Sequence, residues 1–527
     1  MSGEFYYPEI MAPGVALFDY DNDGDLDVFV VQGQMLGPAP LDRALFPPRD
    51  ASSLRGRLFR NDLQVAADGT RVLRFTDVTE SSGITARGYG MGVATGDFDN
   101  DGCIDLYVTN LGANQLFRNN CDGTFTDVTK SSRTESPGWS VSAAFVDFDR
   151  DGWLDLFVGH YVNYSIAANV KCFGLAGGPD YCPPHVYRAQ PSKLYRNNHD
   201  GTFTDVTARA GMSAEFGPAL GVTTADFNGD GWIDIYVAND GQPNQLWINQ
   251  RDGTFRNTAL LAGAALGANG EAKSSMGVDA GDFDNDGDED LFITELTGQG
   301  ADLYVNTGPA VFEEQSARAG LRQPTLPFTG FGAAWIDIDN DGWLDLVTVN
   351  GAVTQNVDAV ARHEPFSLQQ RKQLFRNRRN GTFDDVTDRA GPIFQLAEVS
   401  RGAAFGDVDN DGAIDIVVGN ASGPLRLLMN GVGQRKHWVG LRLVGEDGRR
   451  DMIGARVAVT RGDGVIVRRR ARSDGSYASA SDPRVLVGLG DSNQPVTVRV
   501  DWPDGRSETW TGLAADRYTT LRQGTGK

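Results

Sequence analysis

The stretch Phe18–Val31, FDYDNDGDLDVFVV, alternates aspartates with other residues, contains one glycine and continues directly into an apolar run. The same pattern returns six more times, beginning at Asp97, Asp147, Asp226, Asp282, Asp337 and Asp407. Successive copies start 50 to 79 residues apart, which indicates repeated supersecondary units. A repeat architecture also accounts for a length of 527 residues, which exceeds the size of one hydrophobic core.

A second element follows most of the acidic stretches, and after the second copy it reads QLFRNNCDGTFTDVT, residues 115–129. Its β-branched and aromatic residues lack a 3.6-residue period and predict strands, while the Asp-Gly pair predicts a hairpin turn. Each unit therefore reads as four short strands. Seven such units predict an all-β fold, a seven-bladed β-propeller, and the absence of a Trp-Asp ending excludes the WD40 class.

The acidic stretch has the form D-x-D-x-D-G-x-x-D, whose spacing suits a hard cation. Carboxylates at positions 1, 3, 5 and 9 converge when the glycine at position 6 allows a sharp turn, and position 7 offers its carbonyl. An all-oxygen donor set of this charge favours Ca²⁺ over Mg²⁺, zinc or copper. Position 12 is a strand residue such as Val30 rather than the glutamate of an EF-hand. We therefore predict up to seven Ca²⁺ sites, one per blade, with a mainly structural role; acidic turns without metal are the alternative.

The predicted ligand positions are, loop by loop, Asp19, Asp21, Asp23, Asp25 and Asp27; Asp97, Asp99, Asp101, Cys103 and Asp105; Asp147, Asp149, Asp151, Trp153 and Asp155; Asp226, Asn228, Asp230, Trp232 and Asp234; Asp282, Asp284, Asp286, Asp288 and Asp290; Asp337, Asp339, Asp341, Trp343 and Asp345; and Asp407, Asp409, Asp411, Ala413 and Asp415. At positions 1, 3, 5 and 9 the fourth loop has three carboxylates, because of Asn228, where each other loop has four.

The overall charge follows from these loops. The chain carries 70 acidic and 48 basic residues, a net charge of −22, which makes nucleic acid and anionic membranes unsuitable partners. Seven bound Ca²⁺ ions would bring the net charge from −22 to −8. No apolar run is long enough to span a bilayer, and Met1–Glu4 does not begin a signal peptide, so we predict no membrane insertion.

The four cysteines occur as two local pairs. Cys172 and Cys182 bracket a Gly/Pro-rich loop, and Cys103 and Cys121 replace residues of other types at the same positions of one repeat. Disulfides within each pair would indicate an oxidising compartment, and four free thiols are the alternative.

The repeats resemble the FG-GAP/VCBS repeats of integrin α-subunit propellers over residues 12–430. After Asn430 the acidic loops stop, and Trp438–Gly440, Ile453–Val457, Gly488–Gly490 and Trp502–Gly505 resemble landmarks of the ASPIC/UnbV domain. We therefore divide the chain into a propeller, residues 1–430, and a small C-terminal β domain, residues 431–527. Together they resemble the cartilage acidic protein family.

This resemblance implies a secreted or periplasmic, monomeric protein that acts in adhesion or recognition of a carbohydrate or protein ligand. The chain would then have lost its signal peptide upstream. A calcium-dependent extracellular enzyme, such as a polysaccharide lyase or hydrolase working at the channel face, is the second hypothesis, and a scaffold subunit is the third. No recognised catalytic motif is present, which favours binding over catalysis.

The seventh unit lacks a fourth strand, because no DGTFTDVT element follows its RLLMN run. Either His437–Val444 supplies this strand or a segment upstream of Met1 closes the ring. Small residues such as Gly92, Gly221 and Gly402 precede or begin the inner strands and suit close packing at the channel axis.

By the integrin resemblance, ligands meet the face opposite the acidic loops. Long connections on this face are Gln32–Arg57, His160–Lys193 and Gly351–Lys372, and loops of this length are often functional. The predicted ligand-binding residues are His160, Tyr161, Tyr164, Tyr181, His185, Tyr187 and, as an anion contact beside the channel, Arg401. The alternative is that the aromatic residues only hold their own loop together.

Overall fold

The strands form in the order that the repeats predict. The computed structural model describes residues 1–47, 54–174, 177–355 and 367–527. In the first three blades the strands are β1 (Val15–Phe18), β2 (Asp27–Val30), β3 (Arg57–Asn61), β4 (Gln64–Val65), β5 (Arg71–Val72) and β6 (Phe75–Asp77); β7 (Tyr89–Gly96), β8 (Asp105–Gly112), β9 (Gln115–Asn119) and β10 (Phe125–Asp127); and β11 (Gly138–Val146), β12 (Asp155–His160), β13 (Cys172–Phe173), β14 (Pro179–Asp180), β15 (Lys193–Asn197) and β16 (Phe203–Asp205).

The remaining blades follow the same plan. Their strands are β17 (Ala219–Ala225), β18 (Asp234–Asn239), β19 (Gln245–Asn249) and β20 (Phe255–Asn257); β21 (Val278–Gly281), β22 (Asp290–Ile293), β23 (Asp302–Asn306) and β24 (Phe312–Glu314); β25 (Gly330–Ile336), β26 (Asp345–Asn350), β27 (Gln370–Arg371), β28 (Gln373–Asn377) and β29 (Phe383–Asp385); and β30 (Ala397–Glu398), β31 (Ser400–Gly406), β32 (Asp415–Asn420) and β33 (Arg426–Leu428).

In the described part of the chain the α-helices are single turns between blades, and short 3-10 turns occur between and within blades. They are α1 (Thr79–Ser82), α2 (Thr129–Ser132), α3 (Ala259–Ala262) and α4 (Arg322–Thr325), with 3-10 turns at Tyr7–Ile10, Leu41–Arg43, Ile166–Ala168, Pro184–Val186, Thr387–Arg389, Pro392–Gln395 and Gly433–Arg435. None of the helices within the described ranges has the length and hydropathy needed to cross a membrane.

Each of the first six blades is a four-stranded antiparallel sheet in sequence order, with the acidic loop joining its first two strands. The sheets of blades 2 and 3 are joined further by pairing of Trp139 with Leu111. The third and fourth strands meet at the Asp-Gly or Asn-Gly turn, as in β9 and β10. The prediction of an all-β fold built from propeller-type units is confirmed.

A buried asparagine at the end of the third strand links each blade to the one before it. The Nδ2 of Asn119 donates to the carbonyl of Tyr20 at 2.7 Å, and Asn197 repeats this contact with Phe98 at 2.8 Å. The series closes on itself, because Asn61 in blade 1 donates to the carbonyl of Val408 in blade 7 at 2.9 Å. A hydrogen-bonded ring of blades results.

Blade 7 has three strands, β31 to β33, within the part of the chain that the structure describes. The suggestion that His437–Val444 completes this blade is wrong. That segment forms β34, which pairs with Val485–Gly490 on one side and runs parallel to Tyr518–Arg522 on the other. With both edges taken, β34 has no free edge to offer blade 7.

The C-terminal domain has two sheets around its own core. One contains β34, β37 (Val485–Gly490) and β40 (Tyr518–Arg522); the other contains β35 (Arg456–Thr460), β36 (Ile466–Arg470), β38 (Val496–Asp501) and β39 (Ser507–Leu513). Buried aliphatic residues such as Val439, Val459 and Val498 fill the space between the sheets. The domain boundary predicted at residue 430 falls between β33 and β34 and stays a prediction.

Residues 473–482, which connect β36 to β37, enter the central channel of the propeller; we call them the channel segment. Ala480 pairs in parallel with Ala16, and Ser476 pairs with Val278 in an antiparallel bridge. Four hydrogen bonds and one ring contact connect the channel segment to the inner strands of the other blades. Ser473 donates to the Thr95 carbonyl, Ser476 donates to the Ala403 carbonyl, and Asp474 accepts the Thr224 N–H. The Ala478 N–H donates to the Ser142 hydroxyl, and the Tyr477 ring packs against the Phe331 ring. The channel segment therefore contacts every blade.

The predicted close packing at the axis is explained by the channel segment. A Cβ added at Gly402 would lie 2.5 Å from the Ser479 Oγ, and one at Gly92 would lie 2.8 Å from the Ala478 carbonyl oxygen. Since real Cβ atoms do not approach neighbours this closely, glycine is required at both positions.

Candidate metal loops and the cavity on the opposite face

The acidic loop is built around its first aspartate. In blade 1, Asp19 accepts the N–H of Asp23 at 3.1 Å and that of Gly24 at 3.0 Å, one on each carboxylate oxygen. Asn22 has a φ of 60° and Gly24 a φ of 93°, both in the left-handed region that the turn requires. Asp97 makes the same two contacts with Asp101 and Gly102.

The ninth position ties the loop to the sheet. Asp27 is 1% exposed and accepts the N–H of Tyr20 at 2.9 Å and that of Asn61 at 2.8 Å. Burial raises the pKa of this carboxyl to about 9 when no cation balances it. Position 9 thus has a structural role in addition to its predicted role as a ligand.

Six of the seven loops contain a buried carboxylate oxygen without a hydrogen-bond partner in the described part of the chain. These oxygens are the Oδ1 atoms of Asp21, Asp99, Asp149, Asp282, Asp339 and Asp409. In blade 1, oxygens of Asp19, Asp21 and Asp27 lie within 4.8 Å of one another, and blades 2, 3 and 5 contain similar groups. Buried, unpaired oxygens at this spacing fit a bound divalent cation with an oxygen donor set.

Burial without a counter-charge also perturbs the first position. Desolvation raises the pKa of Asp19 to about 6 and that of Asp97 to about 7. A divalent cation at the loop would favour the ionised carboxylates and reverse this shift.

The loop of blade 4 differs because neighbouring polar groups occupy its oxygens. Arg456 of the C-terminal domain donates to Asp226 Oδ2 at 2.7 Å, and the Asp226 side chain is only 2% exposed. Asn228 and Arg251 both donate to Asp230 Oδ2, at 3.1 and 2.8 Å. Within the described ranges this loop has no carboxylate oxygen that is both buried and unpaired.

The residue at position 7 of each loop donates a backbone hydrogen bond within its own loop. The N–H of Cys103, Trp153, Trp232, Trp343 and Ala413 donates to the position 5 carboxylate of the same loop at 2.9 to 3.0 Å. Asp25 and Asp288 make the same contact. This arrangement holds position 5 in place, and ligation through the position 7 carbonyl stays a prediction.

The C-terminal domain covers the loop face, which the sequence did not predict. Arg461 donates to the carbonyl of Asp341 at 3.0 Å, Arg484 donates to Asn410 Oδ1 at 2.9 Å, and the Tyr518 hydroxyl donates to Asp407 Oδ2 at 3.0 Å. The sequence feature that could have indicated this contact with the acidic loops is the arginine-rich run VRRRAR, residues 467–472, in an otherwise acidic chain.

Both predicted disulfides are present. Cys103 is bonded to Cys121 and Cys172 to Cys182, with Cα–Cα distances of 5.6 and 5.2 Å, and the described residues contain no free cysteine. In blade 3 the positions equivalent to Cys103 and Cys121 are occupied by Trp153 and His199. Their rings stack with centroids 4.8 Å apart, so the two positions are in contact there without a disulfide.

The predicted ligand-binding residues lie close together, but most are buried. Tyr161 is 0% exposed and His160 is 3% exposed, with its Nε2 2.8 Å from the Ser136 hydroxyl. Tyr164 and Tyr181 are also buried, whereas His185 is exposed and Tyr187 is half-buried. Most of these aromatic rings belong to a core cluster at the end of the channel rather than to an open platform.

Arg401 is not available as the predicted anion contact. Its side chain is fully buried and donates to the carbonyls of Ile10, Gly351, Ser400 and Ala352. The guanidinium also lies 4.0 Å from the centroid of the Phe331 ring. Its donors are therefore used to join blades at the axis.

A cavity of about 480 Å³ opens beside these residues, on the face away from the acidic loops. The disulfide-linked loop lines one side of it with Phe173, Tyr181 and His185, and Asp240 and Met276 line another part. Of the three long connections predicted to be functional, His160–Lys193 contributes most to this cavity and Gly351–Lys372 adds residues 353–355. Residues 48–53, 175–176 and 356–366 of these connections lie outside the described ranges.

A buried hydrogen-bond chain runs under the cavity. The Tyr161 hydroxyl donates to Asp240 Oδ2 at 2.5 Å and is also bonded to the Tyr7 hydroxyl. Burial raises the pKa of Asp240, although the Tyr161 hydroxyl partly offsets this effect. Asp240 and Tyr7 were not among the predicted site residues, because neither belongs to a recognisable motif.

Two family models match separate parts of the chain. Residues 445–527 match the family model described as ASPIC and UnbV. The model described as FG-GAP-like repeat matches residues 97–158, 186–237, 226–293, 282–348 and 357–418. These repeat matches cover more than half of the chain.

Among curated proteins the chain is similar to cartilage acidic protein 1. The Homo sapiens protein is 27% identical over 314 residues, covering 57% of this chain and 43% of that protein. The Xenopus tropicalis protein is 29% identical over 209 residues, covering 36% and 28%. The chain thus spans less than half the length of either relative.

Two solved structures show distant likeness. A lectin from Agrocybe aegerita that recognises non-reducing terminal N-acetylglucosamine is 15% identical, with a TM-score of 0.38 and coverage of 72% of this chain and 90% of that one. A rhamnogalacturonan lyase from Bacillus licheniformis is 14% identical, with a TM-score of 0.34 and coverage of 97% and 90%. At these scores neither structure bears on function.

Proposed function

Because the chain belongs to the FG-GAP-like repeat family and ends in an ASPIC/UnbV domain, we propose that it is a secreted, calcium-stabilised recognition module. The observation that carries the calcium part is the unpaired, buried carboxylate oxygen found in six loops. An oxygen of this kind is costly unless a cation balances it. Bound Ca²⁺ would supply that charge and hold the turn between the first two strands of a blade.

We assign the ions a structural role and place recognition on the opposite face. The loops are covered by the C-terminal domain, so a large ligand has little access to them. The cavity of about 480 Å³ lies away from the loops and is bordered by the disulfide-linked connection. Its mixture of aromatic and polar walls suits part of an extracellular carbohydrate or protein ligand.

Secretion is supported by the cysteines. Both pairs are oxidised, and disulfides persist in extracellular and periplasmic compartments rather than in the cytosol. Calcium loops of this kind also suit surroundings in which free Ca²⁺ is abundant.

Catalysis at the cavity is a second candidate, favoured by one observation. Asp240, Tyr161 and Tyr7 form a buried hydrogen-bond chain beside a space large enough for a small substrate. The channel segment occupies the central channel, so we place this candidate reaction at the cavity rather than in the channel. An array of glycans and peptides, sampled for both retention and cleavage, separates the two functions: cleavage of any ligand would show that binding alone is an incomplete description.

The calcium proposal is tested by unfolding the full chain in Ca²⁺, in Mg²⁺ and in chelator. Each site filled at a hundredfold excess over its Kd adds about 2.7 kcal/mol to the free energy of unfolding. We expect Ca²⁺ to raise the melting temperature strongly and Mg²⁺ to have a smaller effect. Asp21→Asn should weaken the Ca²⁺ effect, whereas Asp252→Asn, on an exposed turn outside the loops, should not. Equal stability in Ca²⁺ and in chelator would overturn the proposal.

A further inference from the structure

The cavity on the recognition face has an unbalanced charge. Asp180 and Asp240 both line it, and among its described lining residues there is no lysine or arginine. Asp180 is 5% exposed and accepts the backbone N–H groups of Tyr181 and Gln355 at 2.9 and 3.1 Å. Anionic ligands such as uronic acids, sulfates and phosphates would meet two carboxylates and, among these described residues, no lysine or arginine, which disfavours them as ligands.

Asp240 is held in place by neutral groups only. It is 8% exposed and receives the Tyr161 hydroxyl, which is itself fixed by Tyr7. Arg401 lies behind the cavity, but its donors are directed to four backbone carbonyls, including those of Ile10 and Ala352. No described salt bridge reaches Asp240, although buried charges in proteins are normally paired.

Aromatic rings surround the same space. Tyr7 and Tyr187 are stacked with centroids 5.7 Å apart, and Tyr181 lies on the neighbouring wall. Phe173 is 70% exposed at the rim of the cavity. Aromatic faces next to a carboxylate attract a cation that carries apolar substituents, through its charge and through the ring quadrupoles.

We propose that this cavity binds an organic ammonium group, with Asp240 as the counter-charge and Tyr7, Tyr187 and Phe173 as its aromatic walls. The inference rests on the proposed recognition function and names the chemistry of its ligand. A free quaternary amine and a methylated lysine side chain of a protein both present this group. The two sources share the same contacts in the cavity and are separated by experiment.

The test is calorimetric titration of the full chain in Ca²⁺ with choline and with its neutral carbon isostere, 3,3-dimethylbutan-1-ol. The two probes have nearly the same shape, so only the charge differs. We expect saturable binding of choline with one site, and binding of the isostere weaker by about tenfold or more. A peptide carrying trimethyllysine, compared with its unmodified form, distinguishes a protein source from a free amine.

Two variants test the named residues. Asp240→Asn should reduce choline affinity by about tenfold or more while leaving binding of the neutral isostere unchanged. Phe173→Ala removes a ring that is 70% exposed, so it should fold, and it should weaken choline binding even if Asp240→Asn fails to fold. Phe216→Ala, another exposed phenylalanine that does not line the cavity, is the matched control and should bind choline normally.

The outcomes separate this inference from the proposed function. Equal affinity for choline and its isostere, or binding of neutral sugars without binding of choline, overturns the ammonium assignment. Absence of choline binding in a sample that Ca²⁺ still stabilises also overturns it, and leaves the calcium-stabilised module intact. Loss of the Ca²⁺ effect on stability would instead count against the proposed function.

Discussion

Tyr477 anchors the channel segment, and its replacement by alanine is the perturbation with the largest expected effect. The side chain is 0% exposed, and its hydroxyl donates to the carbonyl of Met11 at 2.8 Å. Its ring meets Phe331 edge-on, with centroids 4.9 Å apart. These contacts join the C-terminal domain to blade 6 and to the segment before blade 1.

The magnitude follows from these contacts. Deleting a buried aromatic ring costs about 3–5 kcal/mol, and leaving the Met11 carbonyl without its donor adds about 1 kcal/mol. Tyr477→Ala should therefore lower the free energy of unfolding by about 4–6 kcal/mol. Tyr477→Phe keeps the ring and removes only the hydrogen bond, so we expect a loss of about 1 kcal/mol.

The assay combines urea unfolding with hydrogen exchange of residues 473–482. The amides of Ala478, Ala480 and Asp482 donate to Ser142 Oγ, the Val15 carbonyl and the Phe405 carbonyl, at 3.0 Å in each case. Tyr477→Ala should accelerate their exchange, while Leu261→Ala, at a site 82% exposed, should leave both measurements unchanged. Wild-type stability together with wild-type exchange in Tyr477→Ala would refute the packing of this segment in the channel.

Three further predictions concern the asparagine hydrogen bonds between blades, a disulfide and a buried histidine. Asn119→Ala removes the donor to the Tyr20 and Ile104 carbonyls and should lower the free energy of unfolding in urea by about 2 kcal/mol. An unchanged free energy of unfolding would show that these asparagine hydrogen bonds do not stabilise the contact between blades. Cys121→Ser opens a disulfide that spans 18 residues and should cost about 3 kcal/mol, seen as a lower urea midpoint; an unchanged midpoint would contradict a stabilising role for this disulfide. Burial lowers the pKa of His160 from 6.5 to about 4, so its contribution to stability is present above pH 6.5 and is lost as the pH falls toward 4. His160→Gln should flatten the unfolding free energy over this interval by up to about 3 kcal/mol, and an unchanged pH profile would refute this assignment.

Local features of the fold could be predicted from the sequence because they depend on short-range chemistry. The turn around Gly24 and the hairpin after Asn119 need only neighbouring residues to form. The pairing of Cys103 with Cys121 was predictable for the same reason, since both replace residues at fixed positions of one repeat.

Contacts between distant segments could not be predicted in this way. Nothing in the composition of residues 473–482 shows that they pass through the channel, because small polar residues are also typical of surface turns. Arg401 looked like a free cation beside the channel, yet its donors are satisfied by carbonyls that only the folded ring brings near, such as that of Ile10. The role of Asp240 depends likewise on Tyr161, 79 residues away.

The most direct test of the calcium-stabilised propeller is the number of Ca²⁺ ions bound per chain, measured by native mass spectrometry and by metal analysis after dialysis. We predict six, because Arg456 and Asn228 remove the unpaired oxygen from the blade 4 loop. The double variant Arg456→Gln with Asn228→Asp should bind seven. Seven ions in the wild type would contradict the assignment of the blade 4 loop, and a protein that binds none would contradict the account as a whole.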